Sequence, residues 1–318
     1  MNLVRLIKHG KETVLMKTKN KLFGPFLLIS AAMIWGLSFV AQAEGMNHVE
    51  GFTFNGIRMI IGSAVLFPFI IIKNKKKCKT DTKEQRKSAY KATLLGILPV
   101  GVCLFLGSTL QQFAFNYTET GKIGFLTALY MIFVPILGLF LKKKPPYTIW
   151  IGVALGLVGM YFLCVGASKN FSIGKGELLA IGCAIAYAIH ILVIDKFGQE
   201  IDSVVLSCGQ FFITGVISCI LMFIFEKPSL ESIFNAAIPI LYSGVLSSGL
   251  GFTFQIIGQK YTDPTIAAML LCLESVFAVL FAFIIPPHET LQTVEYIGCI
   301  IIFAAIIIAQ INPPKKLQ

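Results

Sequence analysis

The sequence has few charged residues, since Asp, Glu, Lys and Arg make up 14% of its 318 residues. A soluble domain carries about 25%. Hydrophobic residues make up 56% of the chain, and the mean hydropathy is +0.78. A chain with so few charges cannot cover a globular surface that faces water. The scarcity of charge therefore excludes an ordinary soluble protein.

The sequence also lacks the motifs of common enzymes. It contains no HExxH, no GxSxG, no phosphate-binding loop and no paired carboxylates within its apolar runs. Its 8 cysteines show no CxxC spacing, and seven of them lie inside apolar runs, as packing residues do. We therefore expect no enzyme, no metal site and no cofactor, and an ATP-driven pump is disfavoured on the same ground.

Long apolar runs occupy most of the chain instead. Each run is long enough to cross a hydrocarbon core of about 30 Å as a helix, and none alternates at every second residue as a barrel strand does. We expect an all-α polytopic membrane protein with ten transmembrane helices. The predicted spans lie near Leu22–Ala43, Gly51–Ile72, Ala92–Gln112, Thr120–Leu141, Tyr147–Gly166, Glu177–Lys196, Val204–Phe225, Phe234–Gly258, Thr265–Pro286 and Glu295–Ile311.

The net charge of +11 comes mainly from basic residues beside these spans. The two tails, 1–21 and 312–318, and every second loop between them hold 22 Lys and Arg, whereas the other loops hold 4. Basic loops stay on the cytoplasmic side, so we predict a multi-pass protein of the cytoplasmic membrane with both termini inside. The basic residues are expected to meet anionic lipid headgroups rather than nucleic acid. The first run is too long for the apolar part of a signal peptide.

Five of the spans are repeated in the second part of the chain. Residues 111–135 match residues 255–279, and spans 1, 2 and 5 match spans 6, 7 and 10. The aligned pairs include Gln111 with Gln255, Tyr130 with Glu274, Trp35 with Tyr187, Ser38 with His190 and Arg58 with Gln210. Five is an odd number, so the second copy must cross the membrane in the opposite sense. Two inverted five-helix repeats are typical of secondary transporters, whose site lies near the midplane.

This repeat divides the chain into five segments. We predict a basic cytoplasmic tail over 1–21, a first five-helix repeat over 22–166 and an outer linker over 167–176. A second five-helix repeat over 177–311 and a cytoplasmic tail over 312–318 follow.

Short motifs recur in a fixed order along both repeats. They are Ala32–Phe39 (AMIWGLSF), Asn55–Arg58 (NGIR), Tyr117-Thr118, Pro135, Tyr261-Thr262, Leu273–Val276 (LESV) and Ile297-Gly298. In order and spacing they resemble the drug/metabolite transporter superfamily, and within it the EamA-type permeases, from roughly Phe23 to Ile311. The resemblance implies transport of a small molecule, such as an amino acid, a sugar, another metabolite or a drug. Ser275 stands where the family often has proline.

Two charged residues inside the spans are the first candidates for the site. Glu274 lies about ten residues into span 9, where a carboxylate costs about 2.5–3.5 kcal/mol on insertion scales. It either binds substrate or a proton, or is a structural carboxylate bonded to a hydroxyl. Arg58 in span 2, with Asn55 one turn away, either binds a substrate carboxylate, or extends outward to the membrane surface, or is bonded structurally to carbonyls or to Glu44 or Glu50. Whether Arg58 and Glu274 pair stays open.

Aromatic and polar residues complete the set of candidates. Trp35 and Ser38 lie on one face of span 1, and with Tyr130 and Tyr187 the indole could form the wall of a cavity. The resemblance implies the same, because the span-1 aromatic residue faces the cavity in this family. Plain helix packing is the alternative. His190 either relays protons or bonds to a neighbouring helix.

The glutamines and glycines in the spans favour structural roles. Gln111 and Gln255 are interpreted as gate or helix-end partners rather than ligands. Gly152 and Gly156 form a small-residue face for contact between helices or between subunits, which makes a homodimer possible.

We therefore expect a secondary transporter that works by alternating access. Its substrate would be a small metabolite, an amino acid or related compound or a drug-like molecule, and the expected direction is export. The alternatives are a membrane-embedded enzyme or lipid-handling protein and a non-transporting scaffold. Neither alternative needs the two-fold exchange that an inverted repeat provides.

Overall fold

The computed structural model describes residues 22–77, 83–118, 120–164, 174–284 and 292–311. The predicted tails, 1–21 and 312–318, and most of the predicted linker lie outside these residues. Helices dominate the described ranges, which contain no strand.

Ten helices follow the ten predicted spans, so the predicted fold class is confirmed. They are α1 Phe23–Met46, α2 Gly51–Lys77, α3 Lys83–Ala114, α4a Thr120–Ala128 with α4b Tyr130–Phe140, α5 Tyr147–Cys164, α6 Lys175–Phe197, α7 Ser203–Phe225, α8 Ala237–Gln259, α9a Pro264–Leu271 with α9b Leu273–Ile284, and α10 Thr293–Gln310. In the described ranges, 8 helices are long and apolar enough to cross a membrane, and α5 and α9 contribute shorter apolar stretches. A short helix, Leu230–Asn235, precedes α8.

The two halves pack against each other in symmetric pairs. Helix α1 packs against α8 and α9, and its equivalent α6 packs against α3 and α4. The equivalent helices α2 and α7 contact each other, as do α5 and α10. Exchanging each helix for the one five places later therefore reproduces the packing, as a pseudo-two-fold axis requires.

Two equivalent glycines make equivalent contacts with the other half, as the pseudo-two-fold symmetry requires. A Cβ atom at Gly24 of α1 would lie 2.4 Å from Thr262 Oγ1, and one at Gly176 of α6 would lie 2.9 Å from Thr118 Cβ. Gly24 and Gly176 are equivalent, and so are Thr118 and Thr262. Each Tyr-Thr turn thus closes onto the first helix of the other half, and only a residue without a side chain leaves room for it.

The axis itself passes between α4 and α9. Tyr130 Oη donates a hydrogen bond to Glu274 Oε1 at 3.2 Å, and Cys272 Sγ donates to the carbonyl of Ala128 at 3.6 Å. Both contacts join residues 144 positions apart, so each residue meets its own equivalent in the other half.

Helices α4 and α9 are both interrupted at this axis, at Leu129 and at Cys272. We predicted continuous spans here, and the interruptions arise from hydrogen bonds between residues three apart rather than four. Leu129 N donates to Leu126 O and Ser275 N donates to Cys272 O, each at 3.2 Å. Irregular backbone is tolerated at membrane depth where it is buried in protein or lines a cavity.

Charged side chains hold the α2–α7 pair at both ends. Glu226 after α7 accepts hydrogen bonds from Phe52 N and Thr53 N, 2.7 Å each, and so caps the N-terminus of α2. Lys73 near the end of α2 forms an ion pair with Asp202, the N-cap of α7. We call the end that carries Lys73, Asp202 and Lys260 the basic end.

The small-residue face of α5 packs against α10 of the same chain. A Cβ atom at Gly152 would lie 2.8 Å from the carbonyl of Ala305 in α10, and one at Gly298 would lie 2.6 Å from Leu163 N. Of the two interpretations of this face, the structure therefore gives the contact between helices. A homodimer stays a prediction and must use another surface.

Candidate functional site

A cavity lies between the halves, beside the Tyr130–Glu274 contact. Its lining comes from α1, α2, α3 and α4 of the first half and from α6, α8 and α9 of the second. The lining residues are Trp35, Ser38, Phe39, Gln42, Arg58, Gln111, Tyr130, Tyr187, His190, Ile191, Ser247, Phe252, Gln255, Leu271 and Glu274.

Glu274 lies at the start of α9b and is 5% exposed. Its described hydrogen-bond partner is the hydroxyl group of Tyr130, which donates to Oε1. Among the ion pairs of the described residues, none includes Glu274. The cavity therefore contains a carboxyl group that a neutral donor holds in place and that no cation of the described residues pairs with.

Arg58 supplies the opposite charge from α2 and is 2% exposed. Its Nε atom donates to Asn55 Oδ1 at 2.8 Å, and its guanidinium lies over the ring of Phe54 at 5.7 Å. Asn55 does not line the cavity; it holds the guanidinium from behind. The described residues include no ion pair with Arg58, so neither the alternative of Glu44 or Glu50 nor a pair with Glu274 is present.

Trp35 is fixed against α8 at the segment where that helix widens into a π-helix, Tyr242–Phe252. Its Nε1 atom donates to the carbonyl of Ser247 at 3.1 Å, and its ring lies 4.6 Å from that of Phe252. The indole also contacts Gly251, where a Cβ atom would lie 2.5 Å from Nε1. π-Helical turns are uncommon and occur frequently at functional sites. Here the π-helix presents a carbonyl that the indole binds.

Tyr187 repeats this arrangement in the other half. Its ring packs on Gly107, where a Cβ atom would lie 2.7 Å from Cδ1, and Gly107 is the equivalent of Gly251. The hydroxyl of Tyr187 then donates to Gln111 Oε1 at 3.3 Å. Two equivalent aromatic rings, Trp35 and Tyr187, therefore line the cavity.

His190 lies in the cavity wall and is fully buried. Its Nε2 atom lies 2.9 Å from Gln210 Oε1, within hydrogen-bond distance, while Nδ1 has no partner among the described residues. Ser38, the equivalent of His190, lies one turn from Gln42, whose Nε2 donates to the carbonyl of Ser38 at 3.2 Å. The histidine thus both bonds to a neighbouring helix and faces the cavity.

The structure brings seven of the eight predicted candidates to this cavity: Glu274, Arg58, Trp35, Tyr130, Ser38, His190 and Tyr187. It adds residues that the sequence interpretation missed. Gln111 and Gln255 line the cavity, although they were interpreted as helix-end partners, and Gln42, Phe39 and Phe252 were not singled out. A signal was present for Gln42, because it lies one turn after Ser38 inside an apolar run.

Comparisons with known proteins agree with this architecture. The EamA-like transporter family matches residues 22–165 and 174–310. An uncharacterized transporter of Archaeoglobus fulgidus is 27% identical over 296 residues, which are 92% of this chain and 87% of that protein. The uncharacterized transporter YoaV of Bacillus subtilis is 26% identical over 286 residues, 88% of this chain and 94% of that protein.

A solved crystal structure has the same fold. It is 18% identical, and the superposition covers 92% of this chain and 96% of that chain with a TM-score of 0.72. The family match covers both repeats and confirms the resemblance found from the sequence motifs. With its ten helices in two inverted halves, the chain belongs to the EamA-like transporter family, within the drug/metabolite transporter superfamily.

Proposed function

We propose that this transporter carries a zwitterionic small molecule, an amino acid with a large apolar side chain above all, across the cytoplasmic membrane by alternating access. One observation carries the proposal. Arg58 and Glu274 line the same cavity, and neither has a partner of opposite charge among the described residues. Isolated charges at membrane depth are costly unless something compensates them.

A zwitterion compensates both charges at once. The guanidinium of Arg58 can bind a carboxylate in bidentate geometry, and the carboxyl group of Glu274 can bind an ammonium group. The rings of Trp35, Tyr187 and Phe252 offer an apolar wall for the rest of the molecule.

The pseudo-two-fold symmetry supports alternating access. Equivalent segments of the two halves meet at each end of the cavity, so the same movement can separate them at either end. At one end Phe39 meets Phe115, with ring centroids 6.2 Å apart. At the basic end the equivalents of Phe39 and Phe115 meet, which are Ile191 and Gln259. Gln259 Nε2 donates to the carbonyl of Ile191 at 3.0 Å.

The basic end would face the cytoplasm, because basic residues are retained there. Glu274 would couple transport to protons. A proton and a substrate ammonium group compete for the same carboxylate, so the substrate that enters from the cytoplasm displaces a proton that came from outside. Such exchange drives export when the outside is acidic.

The test is a binding and counterflow assay with the purified protein in proteoliposomes. L-Phenylalanine is compared with phenethylamine, which lacks the carboxylate, and with 3-phenylpropanoate, which lacks the ammonium group. We expect each analogue to bind at least about tenfold more weakly, since a hydrogen bond to a charged group contributes about 1.5–3 kcal/mol. Equal affinity for all three compounds would exclude a zwitterion site.

A further inference from the structure

The amide oxygen of Gln255 is buried in the cavity and has no hydrogen-bond partner among the described residues, because the two halves differ. Gln111 and Gln255 are equivalent, and the aromatic residues beside them, Tyr187 and Trp35, are equivalent too. Tyr187 carries a hydroxyl group, which donates to Gln111 Oε1 at 3.3 Å. Trp35 carries an indole N–H instead, and it donates to the carbonyl of Ser247. Gln255 Oε1 is therefore left without a partner in the part of the chain that the structure describes, although Gln255 is only 2% exposed.

An unpartnered acceptor at this depth indicates that a donor completes it. A buried acceptor that has lost water and gained no partner destabilises the protein. Gln255 lines the cavity, so a donor on a bound molecule can reach it. The ligand rather than the protein then supplies the missing hydrogen bond.

Gln255 and Glu274 lie on neighbouring helices at a similar level of the molecule. Trp35 packs on Gly251, one turn before Gln255 on α8, and the next residue of α1, Gly36, would place a Cβ atom 2.8 Å from the carbonyl of Glu274. Two acceptors of the second half thus face the cavity near the same stretch of α1. An ammonium group has three N–H donors, and a carboxyl group uses at most two of them.

We propose that Gln255 is a substrate-binding residue whose Oε1 accepts an N–H of the substrate's ammonium group beside Glu274. This inference rests on the proposed function, because it requires a substrate with such a group. It predicts that the site prefers ammonium groups with free N–H donors over fully methylated ones of the same charge.

Gln42 provides a matched comparison. Its Oε1 atom is also buried, unpartnered and part of the cavity. However, Gln42 lies seven residues beyond Trp35, about 10 Å further along α1 and away from the basic end. The same substitution at both positions therefore separates a role at the ammonium group from a general loss of cavity polarity.

The experiment measures binding of L-phenylalanine and of its N,N,N-trimethyl derivative to the full-length protein in nanodiscs. We expect Gln255→Met to weaken binding of L-phenylalanine about tenfold, the effect of one hydrogen bond to a charged group. Binding of the trimethyl derivative should not change, because it has no N–H to donate. Gln255→Glu keeps an acceptor and should keep the preference, and Gln42→Met should affect both compounds equally.

A second variant tests the inference without altering Gln255. Trp35→Tyr supplies the hydroxyl group that Tyr187 has in the other half, so it should occupy Gln255 Oε1 and reduce the preference for L-phenylalanine. If Gln255→Met weakens the binding of both compounds equally, or leaves the preference for L-phenylalanine over its trimethyl derivative unchanged, the inference is overturned while the proposed function stands. If the unaltered protein binds neither compound, the proposed function and this inference both fail.

Discussion

At the scale of single residues, one difference between the two halves places an acid in the cavity. Tyr130 and Glu274 are equivalent, yet one is a neutral hydroxyl donor and the other an acid. The hydrogen bond between them fixes the carboxyl group in the cavity without neutralising it. A substitution that keeps the shape but removes the acid therefore separates structure from function.

We expect Glu274→Gln to fold normally and to abolish proton-coupled transport. The amide oxygen can still accept the hydrogen bond from Tyr130, so the helix contact survives, but the amide cannot bind or release a proton. Transport in proteoliposomes with an imposed pH gradient measures the effect. Full activity of the variant across pH 5 to 8 would remove Glu274 from the coupling.

We expect Arg58→Ala to lose binding of ligands that carry a carboxylate, by about tenfold or more, and to spare ligands that lack one. Arg58→Lys is the matched variant, since it keeps the charge but loses the bidentate geometry and the contact from Nε to Asn55. It should therefore bind with intermediate affinity. Equal losses for phenethylamine and L-phenylalanine would instead indicate a structural arginine.

The sequence predicted the charged and aromatic residues of the site but not its amides. Glu274 and Arg58 stand out because a charge within an apolar run needs a reason, and Trp35 because its repeat equivalent is also aromatic. Gln255 is ambiguous in the sequence, since an amide can cap a helix as readily as it can bind a ligand. Its free oxygen depends on where the indole of Trp35 points, and that is decided by contacts between distant helices.

At the scale of helices, close approach between equivalent segments stabilises the fold. Helices α5 and α10 approach each other through Gly152, Gly159 and Gly298, and their backbones come into contact. This contact lies apart from the cavity, because neither helix contributes to its lining. Stability and ligand binding should therefore respond independently here.

We expect Gly298→Ala to lower the thermal stability of the purified protein and to leave ligand affinity unchanged. The added Cβ atom would lie 2.6 Å from Leu163 N, so the two helices must separate. Gly124→Ala is the control, because its Cβ atom would lie 3.5 Å from Ser275 Oγ, an ordinary contact. Thermal unfolding in detergent measures both variants, and equal melting temperatures would contradict the close approach.

The ten helices could be predicted because each apolar run is long enough to cross the membrane. The interruptions at Leu129 and Cys272 could not, since no proline or glycine occupies either position and both lie in apolar runs. They arise where α4 and α9 cross at the axis, a contact between residues 144 positions apart. The π-helix of α8 likewise depends on α1, since Trp35 binds Ser247 and Tyr242 Oη donates to the carbonyl of Ile34 at 2.9 Å.

At the scale of the whole molecule, the Lys73–Asp202 ion pair joins the two halves at the basic end and persists in mild acid. Burial raises the pKa of Asp202, but hydrogen bonds from Lys73 and from the N–H groups of Val204 and Val205 outweigh it and hold the pKa below its ordinary value of 3.8. A lowered pKa in the folded state stabilises the protein above pH 4, and this stabilisation is lost as the pH falls further. A pH dependence of transport between pH 5 and 8 must therefore come from other groups.

We expect Asp202→Asn to lower the melting temperature at pH 7 by about 1–3 °C, as is usual for a partly exposed ion pair. Asparagine caps a helix about as well as aspartate, so the substitution isolates the charge. The difference from the unaltered protein should shrink as the pH falls below 3.8 and disappear at a pH low enough to protonate Asp202 in the folded protein. A difference that persists there would show that the charge of Asp202 is not its cause.

The contacts at the axis have a consequence for how such a chain can arise by gene duplication. Residues 128 and 272, and 130 and 274, each face their own equivalent. A symmetric dimer of two identical halves would have to place the same side chain on both sides. Two glutamates there would repel each other as like charges, and two tyrosines would provide no carboxylate. Fusing the halves into one chain lets an acid and its hydroxyl donor meet where a dimer of identical halves allows only two copies of one residue.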